Sequence, residues 1–226
     1  MDFEPLSVPL VRQQSKSLDC LRCCASMVFA YFQDSITKDE IWRKLHVYKK
    51  HSGLYGSYSQ DFGILAIKHD YQATIYHSDW GWWDKPTVAA SKKSIPALVK
   101  ALKTLIKNNY WKWPQKKVLK KQIRFIQAGG NYVFTPPSLP LIDNYLNKQI
   151  PVLLFLNSRD LYEDPSENSL HKVVIIGKQT NNYIIRDPYL ALDTISGEQL
   201  LSAWTRGGGW MMVVTPLQEK SQMSLF

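Results

Sequence analysis

No run of 18 apolar residues occurs anywhere in the chain of 226, which excludes a helix long enough to span a bilayer. Residues 1–12 carry no basic cluster leading into an apolar stretch, so a cleaved export signal is not expected. The expected location is the cytoplasm, or another cell reached without such a signal. Cysteine is scarce: the three present, Cys20, Cys23 and Cys24, fall within five residues. Neighbours on one helical turn meet disulfide geometry poorly, so the usage fits a reducing compartment rather than a stapled secreted domain. Acidic residues are missing from residues 85–142, where twelve Lys or Arg occur without a single Asp or Glu. That segment alone exceeds the formal net charge of +9 carried by the whole chain. Such an excess favours acidic partners and leaves the fold open.

What is present is ordinary for a folded protein. Hydrophobic residues make up 45% and charged residues 21%, which excludes wholesale disorder. The length suits one domain over residues 1–216, with a basic helical insertion at about 85–137 and a flexible tail at 217–226. The apolar stretch 20–32 predicts a buried helix with Asp19 as its N-cap. Thr37-Lys38-Asp39-Glu40 is a capping box opening a helix to about Leu45. Residues 59–68 read as a third helix and 72–77 as a strand.

In the basic segment, Ile95, Leu98, Val99, Leu102 and Leu105 recur at helical spacing, and Val118, Leu119, Ile123 and Ile126 do the same. Two amphipathic helices are predicted there, closed by Gly129-Gly130 and Pro136-Pro137. Beyond them come a helix at 139–148, a buried strand at 151–156, a hairpin from 172–176 and 183–186, a short helix at 196–204 and a last strand at 210–214. Helices followed by an antiparallel sheet indicate the α+β class, not an alternating parallel sheet.

A thiol in the first turn of a helix faces unpaired backbone N–H groups and the positive end of the helix dipole, and both favour the thiolate. Cys20, which opens the first helix, is therefore the candidate nucleophile. Gln14 precedes it by six residues, enough for a loop to bring its amide beside the sulfur. That amide and the backbone N–H of Cys20 would then hold a developing oxyanion. His171 is the one histidine of five at the mouth of a strand, and Asp187 ends the next apolar strand before Pro188. With the turn centred near residue 179, the two are predicted to lie opposite each other, within a residue of register. A carboxylate so placed fixes the imidazole tautomer and supports its cationic form. Singly, each residue has a plainer reading: a buried structural cysteine, a satisfied core histidine, a turn aspartate. The four together, in this order, point to thiol chemistry.

This pattern resembles the papain-fold cysteine peptidases related to bacteriocin-processing (double-glycine leader) peptidases and their stand-alone relatives. Gln14, Asp19, Cys20 and Cys24 match the first block of that family's motif, and His171, Asp187 and Pro188 match the second. Residues 151–158 look like the family's strand before the His loop, and Trp204 like the residue ahead of the final strand. The resemblance covers roughly residues 5–80 and 138–216 and omits the basic segment. It implies a papain-like α+β split, with an N-terminal helical part carrying Cys20 packed on a C-terminal antiparallel sheet carrying His171 and Asp187. It also implies roles: Cys20 as nucleophile, His171 as general base and acid, Asp187 as orienting residue, Gln14 as oxyanion donor, and a protein or peptide as substrate. One departure stands out, because the usual glycine after the cysteine is Leu21 here, where a bulkier side chain could narrow the cleft. Cys24 is expected to pack inward.

Other readings compete. Cys20-x-x-Cys23 with His46 and His51 could be offered as a zinc site, but the 22 residues between are committed to apolar helix. Gly207-Gly208-Gly209 lacks the following Lys-Ser/Thr of a phosphate loop and reads as a turn. No cofactor and no metal are expected. The lysine-rich region 85–124, with Tyr110, Trp111 and Trp113 between its helices, fits contact with nucleic acid or an acidic protein, and equally a solvated face over aromatic packing. The cluster Trp80-Gly81-Trp82-Trp83 would line a substrate groove or close the core. At the level of function, a peptidase stands against a glutamine deamidase or transferase using the same chemistry, and against a non-hydrolytic binding module on a papain-like scaffold.

Overall fold

The computed structural model describes residues 2–14, 17–48, 56–78, 83–108, 112–167 and 169–217. In chain order its elements are α1 (Cys20–Tyr31), α2 (Lys38–Lys44), α3 (Ser59–Lys68), β1 (Tyr71–His77), α4 (Lys85–Lys93), α5 (Ile95–Lys107), α6 (Trp113–Gln127), β2 (Asn131–Phe134), α7 (Leu139–Leu146), β3 (Val152–Asn157), α8 (Ser158–Tyr162), β4 (Leu170–Gln179), β5 (Asn182–Arg186), β6 (Thr194–Ser196), α9 (Gly197–Arg206) and β7 (Met211–Pro216). The strands form one seven-stranded sheet in the order β2-β1-β7-β3-β4-β5-β6. An antiparallel sheet following the helices was the expectation. The sheet is instead mixed, since β2 pairs parallel with β1, and the early strand β1 lies inside it. The remaining pairings are antiparallel.

Residues alternate faces along a strand, and β3, β4 and β7 are apolar on both, so the middle of the sheet is covered on each side. Leu153, Phe155, Val174, Ile176 and Met212 pack with Leu21 and Phe29 of α1 and Phe62 of α3. Leu154, Leu156, Val173, Ile175 and Val213 pack with Ile142 of α7 and Leu200 and Trp204 of α9. The N-terminal residues run alongside the β4–β5 hairpin. Phe3 bridges Lys178, the Leu6 N–H donates to the Ile176 carbonyl at 2.8 Å, and Arg186 Nε donates to the Val8 carbonyl at 3.0 Å. Gly177 makes that approach possible, since a β-carbon there would lie 3.0 Å from the Pro5 Cα.

The basic segment departs from expectation in three ways. It holds three helices, because α4 precedes the two predicted. That helix lacks an apolar stripe and is started by Asp84, whose Oδ1 accepts from the Thr87 N–H at 2.9 Å and the Thr87 hydroxyl at 2.6 Å. It also holds the four-residue strand β2, too short to show a period. On α5 the buried stripe is Leu98, Leu102 and Leu105, while Ile95 is 56% exposed and does not join the core. Those leucines meet Trp83, Val88, Leu119 and Ile126 in a third cluster, so Trp83 closes a core. Trp80, Gly81 and Trp82 lie outside the described residues. Phe125 of α6 is fully buried and belongs to the cluster under α1 and α3. Asp19 occupies the N-cap position of α1, but its carboxylate bonds Arg22 Nη1 at 2.9 Å instead of a helix N–H. Thr37 does cap α2, accepting from the Glu40 N–H at 3.2 Å. Gly208 and Gly209, with φ of 86° and 68°, turn the chain from α9 into β7. Of the expected tail only Leu217 is described. Among the described residues no helix is long and apolar enough to cross a membrane.

Candidate active site

Cys20 is the first residue of α1, whose N-terminus rests against the start of β4. The contact is fixed by the second cysteine of the pair: Cys24 Sγ donates to the Lys172 carbonyl at 3.3 Å, one turn along the helix. Cys20 is 8% exposed, His171 6% and Asp187 not at all. His171 Nε2 lies 2.7 Å from Asp187 Oδ1, which leaves Nδ1 as the other ring nitrogen, and the imidazole is close enough to the Cys20 sulfur to act on its ionisation.

The route by which His171 and Asp187 meet differs from the one expected. β4 and β5 pair Val174 with Arg186 and Ile175 with Ile185, and a bulge between Ile175 and Gly177 shifts the register toward the turn. Continued one residue, that register sets Asp187 opposite Val173, two residues from His171. The pair is therefore diagonal rather than direct. Residues 171 and 173 share a face, and a diagonal neighbour is within reach of a histidine side chain.

Asp187 is fully satisfied. Besides His171 it accepts from the Tyr162 hydroxyl at 3.1 Å and from the backbone N–H groups of Tyr189 at 2.9 Å and Leu190 at 3.1 Å. Burial opposes its charge, but the His171 bond and these donors hold the carboxyl below its ordinary range. The rings of Tyr162 and Tyr189 flank the imidazole at 5.9 and 6.2 Å between centroids. Neither tyrosine was foreseen from the sequence. The signal for Tyr162 was Asn157, whose side chain accepts from the Arg159 and Asp160 N–H groups and starts the five-residue helix α8.

Burial pushes the Cys20 thiol up. The Lys172 ammonium, the hydrogen bond and charge of His171, and a backbone hydrogen bond from Lys172 together overcome it, and the thiol sits at about 7. At His171 burial works against protonation, but Asp187 and Cys20 raise the imidazole to about 9. Thiolate and imidazolium therefore coexist between these values. The neighbouring thiols behave oppositely. Burial and the charge of Asp19 push Cys23 up to about 12, and burial raises Cys24 well above its usual range.

The remaining predicted residues fall as follows. Gln14 is exposed in the segment leading to α1, and its carbonyl accepts from the Ser17 N–H at 3.0 Å. Next to it, Gln13 donates its N–H to the Pro188 carbonyl at 2.9 Å, which ties this segment to the Asp187 turn. Leu21 is fully buried in the core beneath α1, so its bulk goes into the core and not toward a cleft. Among the described residues no three His, Cys, Asp or Glu are grouped to hold a metal, and His51 lies outside them. Trp113 is 59% exposed, with Lys117 Nζ 5.0 Å from its ring centroid, rather than packed beneath the basic helices. Tyr110 and Trp111 lie outside the described residues.

No protein-family model matches the chain, and no curated protein sequence does. Solved structures do. A double-glycine-motif protease from an AMS/PCAT transporter, in complex with the leader peptide, has a TM-score of 0.50 at 14% identity, with 96% of this chain and 99% of that chain covered. A C39-like peptidase from Bacillus anthracis has a TM-score of 0.52 at 17% identity, with 96% and 98% covered. Identities this low speak to the fold, which is that of papain-like C39 peptidase domains.

Proposed function

We propose that the chain is a cysteine peptidase in which Cys20 attacks an amide carbonyl, His171 moves the proton and Asp187 orients the imidazole. The observation that carries this reading is a thiol at a helix N-terminus, held at about 7 by the Lys172 ammonium and by an imidazole that is itself 2.7 Å from a buried carboxylate. The peptidase fold and the peptide-bound neighbour support a peptide as substrate.

In the reaction the Cys20 thiolate forms a carbon–sulfur bond to the carbonyl, and the carbonyl π pair moves to oxygen. The backbone N–H of Cys20 and the Gln14 amide are the candidate donors to that oxyanion. Imidazolium then gives its proton to the departing nitrogen as the carbon–nitrogen bond breaks. Water, deprotonated by the now neutral His171, attacks the thioester and frees the acid product and the thiolate. A glutamine deamidase would run the same steps with ammonia leaving. The binding-module alternative drew on Leu21 and the basic segment, and the burial of Leu21 removes the first ground.

A thiol-directed acyl probe followed by mass spectrometry of a peptide pool tests the proposal. Wild type should be labelled once, at Cys20, because Cys23 and Cys24 are buried and held as thiols. Cys20→Ala should lose both label and cleavage. Equal labelling of the two proteins would remove the nucleophile, and conversion of Gln to Glu without new N-termini would favour the deamidase.

A further inference from the structure

Lys172 follows His171 on β4, and the steps above make no use of it. Lysine is among the residues least often buried unless paired. Here it is 6% exposed, and its Nζ lies 5.2 Å from the centroid of the Phe155 ring. Gly56 lies beside it, and a β-carbon there would stand 3.9 Å from Nζ, in ordinary contact. Among the described residues no carboxylate pairs with this ammonium and no acceptor hydrogen-bonds it. A buried charge without a partner is costly, so one is expected nearby. The main chain of Lys172 is already tied to α1 through the Cys24 sulfhydryl, which brings the residue to the helix end that carries Cys20.

We propose that Lys172 is a positioning residue of the site, whose buried ammonium is the second counter-charge of the Cys20 thiolate. This rests on the reading of Cys20 as nucleophile. Charge accounting supports it. In the resting site Cys20 and Asp187 are negative while His171 and Lys172 are positive, which sums to zero. When the thioester has formed and His171 has given its proton to the leaving amine, Asp187 and Lys172 remain, again balanced. Without Lys172 each stage would carry one uncompensated negative charge in a largely water-free environment. The charge of Lys172 is also the largest influence opposing burial at the Cys20 sulfur. The other titratable groups around that sulfur are Cys23 and Cys24 from α1, His171 from β4, Asp187 beyond β5 and Tyr162 from α8.

The rate of iodoacetamide alkylation against pH, with Cys20→Ala as blank, tests the assignment on the full chain. Wild type should give a midpoint near 7. Lys172→Met should raise it by about one unit or more, and Lys172→Arg should largely restore it. An unmoved midpoint in a folded Lys172→Met protein overturns the proposal. A second measurement leaves position 172 intact: in protein labelled with 15N-lysine and held at pH 8, Cys20→Ser should displace the Lys172 side-chain signal, because the coupling is mutual, and identical signals in both proteins overturn the proposal as well. Failure of the peptidase reading would look different: Cys20 would alkylate with the same lysine dependence while no peptide is cleaved.

Discussion

At the residue scale, the site is a set of buried charges that define one another. Cys20 at about 7 and His171 at about 9 set the two limbs of a pH profile, since the thiolate forms above the first and the imidazolium is lost above the second. kcat/KM should therefore rise through about 7, stay high, and fall through about 9, and a profile flat from pH 5 to 9 would contradict the ion pair. Asp187→Asn removes the charge that holds the imidazolium, so the alkaline limb should move down and the maximal rate should drop about 100-fold or more. Unchanged limbs in that variant would show that Asp187 does not set the imidazole. The meeting of Cys20, His171 and Asp187 was legible in the sequence because their order and spacing are unusual, whereas Gln14 is exposed in the segment before α1. The diagonal approach of His171 and Asp187 was not, because the turn falls at Thr180 and Asn181 rather than near 179, and the bulge that then brings Asp187 opposite Val173 leaves no sign in the residues around it. Tyr162 is placed by the short helix that Asn157 starts, and Lys172 by tertiary contacts that no local pattern carries.

Among the elements, the joint between α3, α6 and β2 is the tightest. The Phe125 ring is wedged against two glycines: a β-carbon on Gly63 would lie 2.3 Å from it and one on Gly130 2.2 Å. Lys121 of the same helix adds an ion pair to Asp61 of α3 at 2.6 Å. Gly63→Ala should thus destabilise by about 1–3 kcal/mol through overpacking, and Phe125→Ala by about 3–5 kcal/mol through the cavity left behind. Urea unfolding midpoints read both, and an unshifted midpoint for either would show that the joint is looser than described. Helices with an apolar stripe were legible from the sequence: α3 falls on residues 59–68 as expected, although its N-cap Tyr58 makes no side-chain hydrogen bond. What escaped was α4, whose one large apolar side chain is Val88, the short elements α8 and β6, and β2, which is defined by the strand beside it rather than by its own four residues.

For the molecule as a whole, stability should depend on acid through His77. Its ring is fully buried between Trp83, 4.4 Å away edge-on, and Trp210, stacked at 4.6 Å, and among the described residues neither nitrogen has a hydrogen-bond partner. Burial pushes its pKa down to about 3. The unfolded chain takes up this proton below about 6.5 and the folded chain does not, so this group's contribution to stability is complete above that pH and drains as pH falls. The difference in stability between wild type and His77→Phe should therefore change by up to about 1.4 kcal/mol per pH unit below that point. Parallel stability curves for the two proteins would sink this expectation. Chain order has a consequence of another kind. The sulfur lies on α1, near the front of the polypeptide, and the groups that make it reactive lie on and beyond β4. On the ribosome, a chain that has emerged only as far as α7 carries a thiol without these partners, and the proposed site is complete only when the last third of the chain has arrived.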